Sequence, residues 1–505
     1  MFQISALNSS QQRVVATNPR MRSYLNSLMQ SVPATPRSWL YEWQPTPEFT
    51  LMKWVNQLNS LLGGGTEQEK LILQFDLKQI EKCKPQGGHP PMWEGIQTES
   101  FVSQYEPSSV QTVDLPALSQ VLGIPEHSIR MKGFDAILLD MRQRGTLNTN
   151  SGWDLFTRRS LAWQVARKQA EDGTAMAFPA ILLFRNYHGK LRIVWMYPMA
   201  MNLMEYKVTQ PLQDAIAEKT LYVTPWRGFE DVKRRFTQLW AKHPYAFGGD
   251  TTAMDAHMQS PQLLATGRAS EPLFSGETDL MQTLMHVGDI DVICGPNQII
   301  RNQEHGIASG SGWTQLSETI FQICMFHKYI SVNSLSLTVD DGMGIGDDYV
   351  WFFDEQPDSD KIVDFWQEAG LPGKPEKQSN DPNHCTFLQR LFIKGFFSRD
   401  DSQVLGGIYP TIRALWSILK PERYYDPKFY DSDAFCIRTY QILENTVDHP
   451  VFEEFTKFVA RGQKDLIPFA KQSAAEIDRR FNAVRAKLPG LTVSYNQEKR
   501  DKPLS

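Results

Sequence analysis

Cysteine is scarce in this chain of 505 residues. Cys83, Cys294, Cys324, Cys385 and Cys436 are odd in number and widely scattered, with no CxxC pair and no clustered Cys/His set. That argues against a disulfide framework or a structural zinc site and sets the chain in a reducing, cytosolic or intraparticle environment. Long hydrophobic runs are missing too. No stretch reaches the ~18 apolar residues of a membrane helix, and MFQISALNSSQQRVVA has neither the basic start nor the apolar run of a signal peptide. Nor is there an excess of basic charge: 52 Lys plus Arg stand against 57 Asp plus Glu, a formal charge of −5. Affinity for a polyanion must therefore come from local charge. The chain has no internal repeat and no low-complexity tract.

What is present suits a large folded body. Hydrophobic residues make up 41% and aromatics 11%, enough for a packed core and against global disorder. The length is several times the ~100 to 200 residues of an ordinary domain, which implies several domains or one large catalytic body and excludes a small binding module. Residues 1–105 read as a polar, partly helical N-terminal extension punctuated by Gly63-Gly64-Gly65 and the turn-rich stretch from Pro85 to Pro91. Apolar spacing then predicts a basic-faced helix from Leu155 to Ala170, and FPAILLFRNYHGKLRIVWMYP predicts a hairpin turning at Asn186 to Gly189. Further on, the pattern predicts a helix over Gln315 to His327, strand-turn-strand over Ser336 to Phe353, and a helix over Asp360 to Ala369. Beyond about residue 395 it is mainly helical, with runs near Thr411 to Leu419, Phe435 to Glu444, Phe452 to Val459 and Ala474 to Ala486. This order predicts an α+β fold with a separate helical region.

Charge is segregated along the chain. Residues 155–200 hold seven bases and two acids, whereas residues 340–360 hold eight acids and no Lys or Arg. Opposed segments of this kind suit a site that gathers cations and polyanions. The sharpest local signal is Gly346-Asp347-Asp348, adjacent acids at a hairpin tip between hydrophobic runs. Taken alone they read either as a solvated turn or as acids neutralised by a metal ion. Asp250 would end the aromatic, strand-like run before it, and Asp255 would lie past the following turn. Carboxylates on two neighbouring strands, such as Asp250 and Asp347, can hold a pair of divalent ions about 3.5 to 4 Å apart. Gly306, Ser309, Gly310 and Gly312 make a flexible loop before a helix that presents Thr314 and Glu318 on one face. Such a loop can bind phosphate or sugar through backbone N–H groups, although Ser and Gly also simply start helices. Lys190 and Arg192, two apart on one strand, project to the same face; they could grip a triphosphate or merely face solvent.

Taken together and in this order, the segments resemble the motif set of viral RNA-dependent RNA polymerases, most closely those of double-stranded RNA viruses of the picobirnavirus and partitivirus type. Asp250 and Asp255 match motif A; Ser309, Gly310 and Thr314 match motif B; Gly346-Asp347-Asp348 matches motif C; and Lys190 to Pro198 looks like motif F. Thr149 to Gly152 looks like motif G, Gly370 to Lys377 resembles motif D, and Phe387 to Arg390 stands in the place of motif E. The match spans about residues 149–395. One position departs from the positive-strand enzymes: Glu318 stands where many of them carry Asn, and an acid there is similar to what related double-stranded RNA virus enzymes show. If Glu318 and Asp255 are close, their repulsion should raise one pKa or require a bridging donor.

The resemblance implies a right-hand polymerase fold with interleaved fingers and palm and a helical thumb. It divides the chain into an N-terminal extension (1–105), a catalytic core (106–395), and a thumb with C-terminal tail (396–505). It further implies nucleotidyl transfer from ribonucleoside triphosphates with two Mg²⁺, replaceable by Mn²⁺, held by Asp250, Asp347 and Asp348. Lys190 and Arg192 would bind the triphosphate. Asp255, Ser309, Gly310, Thr314 and Glu318 would surround the nucleotide, Ser151, Gly152 and Arg390 would line the template and primer path, and Lys377, with Lys374 as rival, would protonate pyrophosphate. The implied partners are template and nascent RNA and viral capsid protein, with no membrane, and the implied location is the particle interior and host cytoplasm. Two alternatives stay open: a DNA polymerase sharing the palm acids, and a non-catalytic RNA-binding or capsid-associated protein on the same fold. The tail from Leu488 to Ser505 could plug the active-site cavity or fray as an exposed terminus.

Overall fold

In the computed structural model, residues 2–488 and Leu491 are described; the rest of the expected tail lies outside the described residues. The strands in chain order are β1 (Ile4–Ser5), β2 (Ala180–Tyr187), β3 (Lys190–Met196), β4 (Tyr245–Asp250), β5 (Val292–Gly295), β6 (Gln298–Ile300), β7 (Gly342–Ile345), β8 (Asp348–Phe353), β9 (His384–Phe387) and β10 (Arg390–Ile393). They form three sheets: five strands in the order β1-β6-β5-β2-β3, three in the order β4-β8-β7, and the pair β9-β10.

The three-stranded sheet is the palm, and alternation explains how it is buried on both faces. Tyr349, Trp351 and Phe353 point to one side, where Trp351 stacks on Phe326 of the Thr314–Val332 helix at 4.5 Å. Val350 and Phe352 point to the other, against the Phe229–Lys242 helix, whose Phe236 stacks on Phe392 of β10 at 4.0 Å. The Thr314–Val332 helix is buried on nearly every side along Leu316 to Phe326, as a helix wedged between layers must be.

Both hairpins predicted from sequence are present. In β2–β3 the turn is His188-Gly189, both residues left-handed (φ +52° and +72°), which is the two-residue geometry that matches strand twist. The β7–β8 turn is Gly346-Asp347 with Gly346 at φ +60°, a conformation that costs glycine nothing. The stretch before β7 is a short helical turn, not strand: the Asp341 carboxylate accepts from the Thr338 N–H at 2.9 Å and closes it. The helices at Arg159–Glu171, Ser359–Glu368, Thr411–Leu419, Ser432–Glu444, Phe452–Ala460 and Ala474–Lys487 lie where the apolar spacing puts them.

Residues 1–105 divide between two cores. β1 extends the five-stranded sheet, and Met21, Leu25 and Leu28 join the large core of fingers and palm. Leu51, Trp54, Leu58 and Ile72 pack instead with the helical region around Leu415 and Trp416. There the buried Asp76 carboxylate accepts from the N–H groups of Thr411 (2.9 Å) and Ile412 (2.8 Å), capping the Thr411–Leu419 helix that begins after Pro410. Among the described residues, no helix is long and apolar enough to cross a membrane.

Candidate active site

β4 and β8 run antiparallel with Asp250 directly opposite Asp348, and Asp347 occupies the turn beside them. Side chains directly opposite in such a pair have Cβ atoms about 4.5 to 5.5 Å apart, where like charges repel. Burial, then Asp347 and Asp250, push the Asp348 carboxyl up to about 7. Burial and Asp255 likewise raise Asp347, while the positive charge of Arg192 opposes the shift. These are the conditions under which a carboxylate cluster binds a cation or keeps a proton.

Behind the turn, Asp255 and Glu318 come close enough to act on each other. The backbone reverses at Ala253 (φ +49°) and carries Asp255 toward the buried Glu318. Burial, the charge of Asp255 and a hydrogen bond with it hold the Glu318 carboxyl well above its ordinary range. A carboxyl raised this far holds its proton more readily, which lessens the repulsion between the two acids without a third group.

The turn is gripped by residues that sequence reasoning passed over. The Gly346 N–H donates to Thr319 Oγ1 at 3.0 Å, and the Gly346 carbonyl accepts from Gln322 Nε2 at 2.5 Å. Both side chains come from the Thr314–Val332 helix, one turn apart on the face toward the palm. Gln378 does the same for motif A: its amide accepts from the Asp250 N–H and donates to the Asp250 carbonyl, both at 2.9 Å. Through it the motif D segment pairs alongside β4, with bridges Gly248 to Ser379 and Thr251 to Gly373. The neighbouring Lys374 and Lys377 are exposed, Lys377 ending a short helical turn at Pro375–Lys377.

Motif B lies against motif F. Ser309 Oγ is 3.4 Å from the Trp195 N–H, which donates to it, and a Cβ on Gly310 would collide with the Trp195 carbonyl, so only glycine allows this approach. Thr314 Oγ1 donates to the Ala308 carbonyl at 2.8 Å and holds the loop to the start of its helix. On β3, Lys190 and Arg192 are both exposed, and the Arg192 guanidinium sits 5.6 Å from the Tyr187 ring centroid. Lys82, from the N-terminal segment, is a further cation at this edge. Burial, Arg413 and Lys190 lower its ammonium pKa, and Asp250 acts the other way. A single lysine ending the short helical turn Lys78–Lys82 carries no sequence signal of such a place.

Two residues expected on the template and primer path face inward. Ser151 is buried; its hydroxyl accepts the Thr157 N–H at 3.2 Å and its carbonyl accepts from Met199 at 2.8 Å. Arg390 is buried as well, 4.0 Å from the Phe229 ring centroid and donating to the Asn445 carbonyl at 2.6 Å. Both tie segments together, for they expose little that RNA could touch. Gly152, at φ +67°, is packed against the Tyr197 carbonyl.

The comparisons with known proteins agree with this geometry. The family described as viral RNA-dependent RNA polymerase matches residues 187–404, which contain motifs F, A, B, C, D and E. A potential RNA-dependent RNA polymerase of human picobirnavirus is 25% identical over 479 residues, 88% of this chain and 86% of that one. A crystal structure of the RNA-dependent RNA polymerase of a human picobirnavirus superposes with a TM-score of 0.81 at 22% identity, covering 96% of this chain and 98% of that one. Its insertion-loop deletion mutant gives the same TM-score over 95% and 97%. With a palm sheet flanked by fingers and a helical thumb, and with its acids at the β4–β8 end, the chain has the fold of these polymerases and is similar to the viral RNA-dependent RNA polymerases over residues 187–404. The relatives it matches along most of its length are picobirnavirus proteins.

Proposed function

We propose that the chain copies RNA templates in both replication and transcription of a double-stranded RNA genome, adding ribonucleotides to a 3′-hydroxyl. The observation that carries this reading is the meeting of Asp250, Asp347 and Asp348 at one end of the palm sheet, with Arg192 acting on Asp347 from the fingers. Among the described residues no group of three or more His, Cys, Asp or Glu side chains is arranged to hold a metal ion as it stands. The assignment of two Mg²⁺, or Mn²⁺ in their place, to these carboxylates rests on hard oxygen donors whose burial and mutual repulsion raise the Asp347 and Asp348 pKa values. Divalent ions bound there would ease deprotonation of the attacking hydroxyl and offset the charge of the departing pyrophosphate.

The protein's own groups do the rest. Lys190 and Arg192 hold the triphosphate, the Arg through paired N–H donors and the Lys as a point charge. Asp255 and Ser309, backed by Glu318 and Thr314, face the ribose, where a 2′-hydroxyl offers both a donor and an acceptor. Lys377, or Lys374 three residues before it, gives a proton to the leaving group. Base pairing reads the template, so the protein need contact only backbone and shape. The same reading puts template and nascent RNA in the cleft, capsid protein beside the enzyme, and the enzyme in the particle interior and host cytoplasm.

The test is purified chain with an RNA template, the four ribonucleotides and Mg²⁺. Template-length RNA that disappears on chelation is expected. Absence of product, or equal use of deoxyribonucleotides, overturns the reading.

A further inference from the structure

The motif B loop has a support outside every polymerase motif. Glu205 lies two turns into the Met199–Lys219 helix, directly after the motif F strand, and is completely buried. One of its carboxylate oxygens accepts the Ser311 hydroxyl at 2.5 Å; the other accepts the Gly312 N–H at 2.7 Å and Asn202 Nδ2 at 3.2 Å. Asn202, three residues earlier on the same helix face, also donates to the Gly310 carbonyl at 3.2 Å and accepts from Arg159 Nη2 at 2.8 Å. Arg159 Nε in turn donates to the Asn150 carbonyl at 3.2 Å. An unbroken line of hydrogen bonds thus runs from the motif G loop, through Arg159, Asn202 and Glu205, to Gly310, Ser311 and Gly312.

A carboxylate in this position is a poor way to gain stability. Taking it out of water is costly, and a well-packed apolar side chain would cost less. What it supplies is definition. Gly310, Ser311 and Gly312 have wide conformational freedom, and a short buried acceptor that binds a hydroxyl and a backbone N–H on two different residues leaves the loop one arrangement. That arrangement sets Ser309 against β3 and begins the helix carrying Thr314 and Glu318.

We propose that Glu205, supported by Asn202, is a positioning residue for nucleotide selection: it fixes the motif B loop in the form that faces the ribose and ties that form to the motif G loop. This rests on the reading that the motif B loop contacts the incoming sugar. Glu205 itself touches no substrate and acts through Ser311 and Gly312.

Glu205→Gln, Ser311→Ala and unaltered full-length chain would be compared in single-nucleotide addition, with ribo- and deoxyribonucleotides, alongside thermal unfolding. Glu205→Gln puts an amide NH₂ against groups that already donate. It should raise the ribonucleotide KM more than it lowers kcat, and cut discrimination against the deoxy analogue by about tenfold. Ser311→Ala removes one hydroxyl on a half-buried loop, keeps the buried carboxylate, and should shift both quantities the same way by a smaller factor. Unchanged KM and unchanged discrimination in a folded Glu205→Gln chain, or in Ser311→Ala where Glu205→Gln does not fold, overturn the proposal. Failure of the unaltered chain to add ribonucleotides overturns the polymerase reading, and this inference with it.

Discussion

The candidate active site is edged by two hairpins built alike and held differently. Each turns on two residues with left-handed backbone at the first, β2–β3 at His188-Gly189 and β7–β8 at Gly346-Asp347. The acidic hairpin is braced by nearby chain: Thr319 and Gln322 lie 27 and 24 residues from Gly346 and grip both its backbone polar groups. The basic hairpin is braced from far away. His188 Nδ1 contacts the Lys82 carbonyl at 3.0 Å, Gly87 N–H donates to the Asn186 carbonyl, Arg185 pairs with Glu422, and Arg413 reaches the Tyr187 hydroxyl at 3.3 Å. The acids are therefore set by the palm alone, whereas the bases are set only when the N-terminal segment and thumb have closed over the fingers.

The contrast predicts a graded series of effects. Asp347→Ala should reduce nucleotide addition by more than ~10³-fold while filter binding of RNA changes little, because the acids position transition-state charge and not template; retained synthesis would remove the catalytic half of the comparison. Arg192→Ala should raise the nucleotide KM by roughly 10- to 100-fold and lower kcat less. A collapse of RNA affinity with unchanged KM would move Arg192 into the template path. Thr319→Val leaves the buried Gly346 N–H unpaired and should cost ~1 to 3 kcal/mol in urea unfolding, with activity falling in step; an unchanged midpoint would mean that the turn stands without its brace.

The fourth effect is a pH dependence. Burial outweighs the hydrogen bonds from Ser311, Gly312 and Asn202 and pushes the Glu205 carboxyl up to about 7. A raised carboxyl pKa means the folded state binds more protons than the unfolded one between the ordinary carboxylate range and about 7, so stability falls as pH rises through that window. Glu205→Gln cannot ionise. Its melting temperature should gain on that of the unaltered chain as pH is raised from about 5 to about 8, and a constant difference would contradict the buried ionisation. Smallest of all, Glu422→Gln weakens a pair whose Arg185 side is 51% exposed, and should change stability by no more than ~1 kcal/mol. A larger loss would show that the fingers-to-thumb closure depends on one ion pair.

The legibility of the two hairpins in the sequence follows the same division. Both strands and both turns show in local pattern, since alternation and turn chemistry act over a few residues. The pairing of Asp250 with the acidic turn follows from the resemblance together with one strand boundary. Thr319, Gln322 and Gln378 escaped because a polar residue bonding to backbone has no preferred spacing. Ser151 and Arg390 show the converse: letters in a motif position indicate neither which way a side chain faces nor that its donors are already engaged. The division of residues 1–105 between two cores could not be read either, since helix periodicity indicates that a face is buried and not against what.

The cap that Asp76 provides reaches across 335 residues. On a ribosome, the segment carrying it emerges early, yet the helix it completes is made only near the end. Until then its carboxylate, and the apolar face of Leu51, Trp54 and Leu58 beside it, have no partner. Closing so long a loop is slow, and the waiting surface is of the kind that aggregates or recruits chaperones. Expression yield, not catalytic rate, is where a substitution at Asp76 should first be felt.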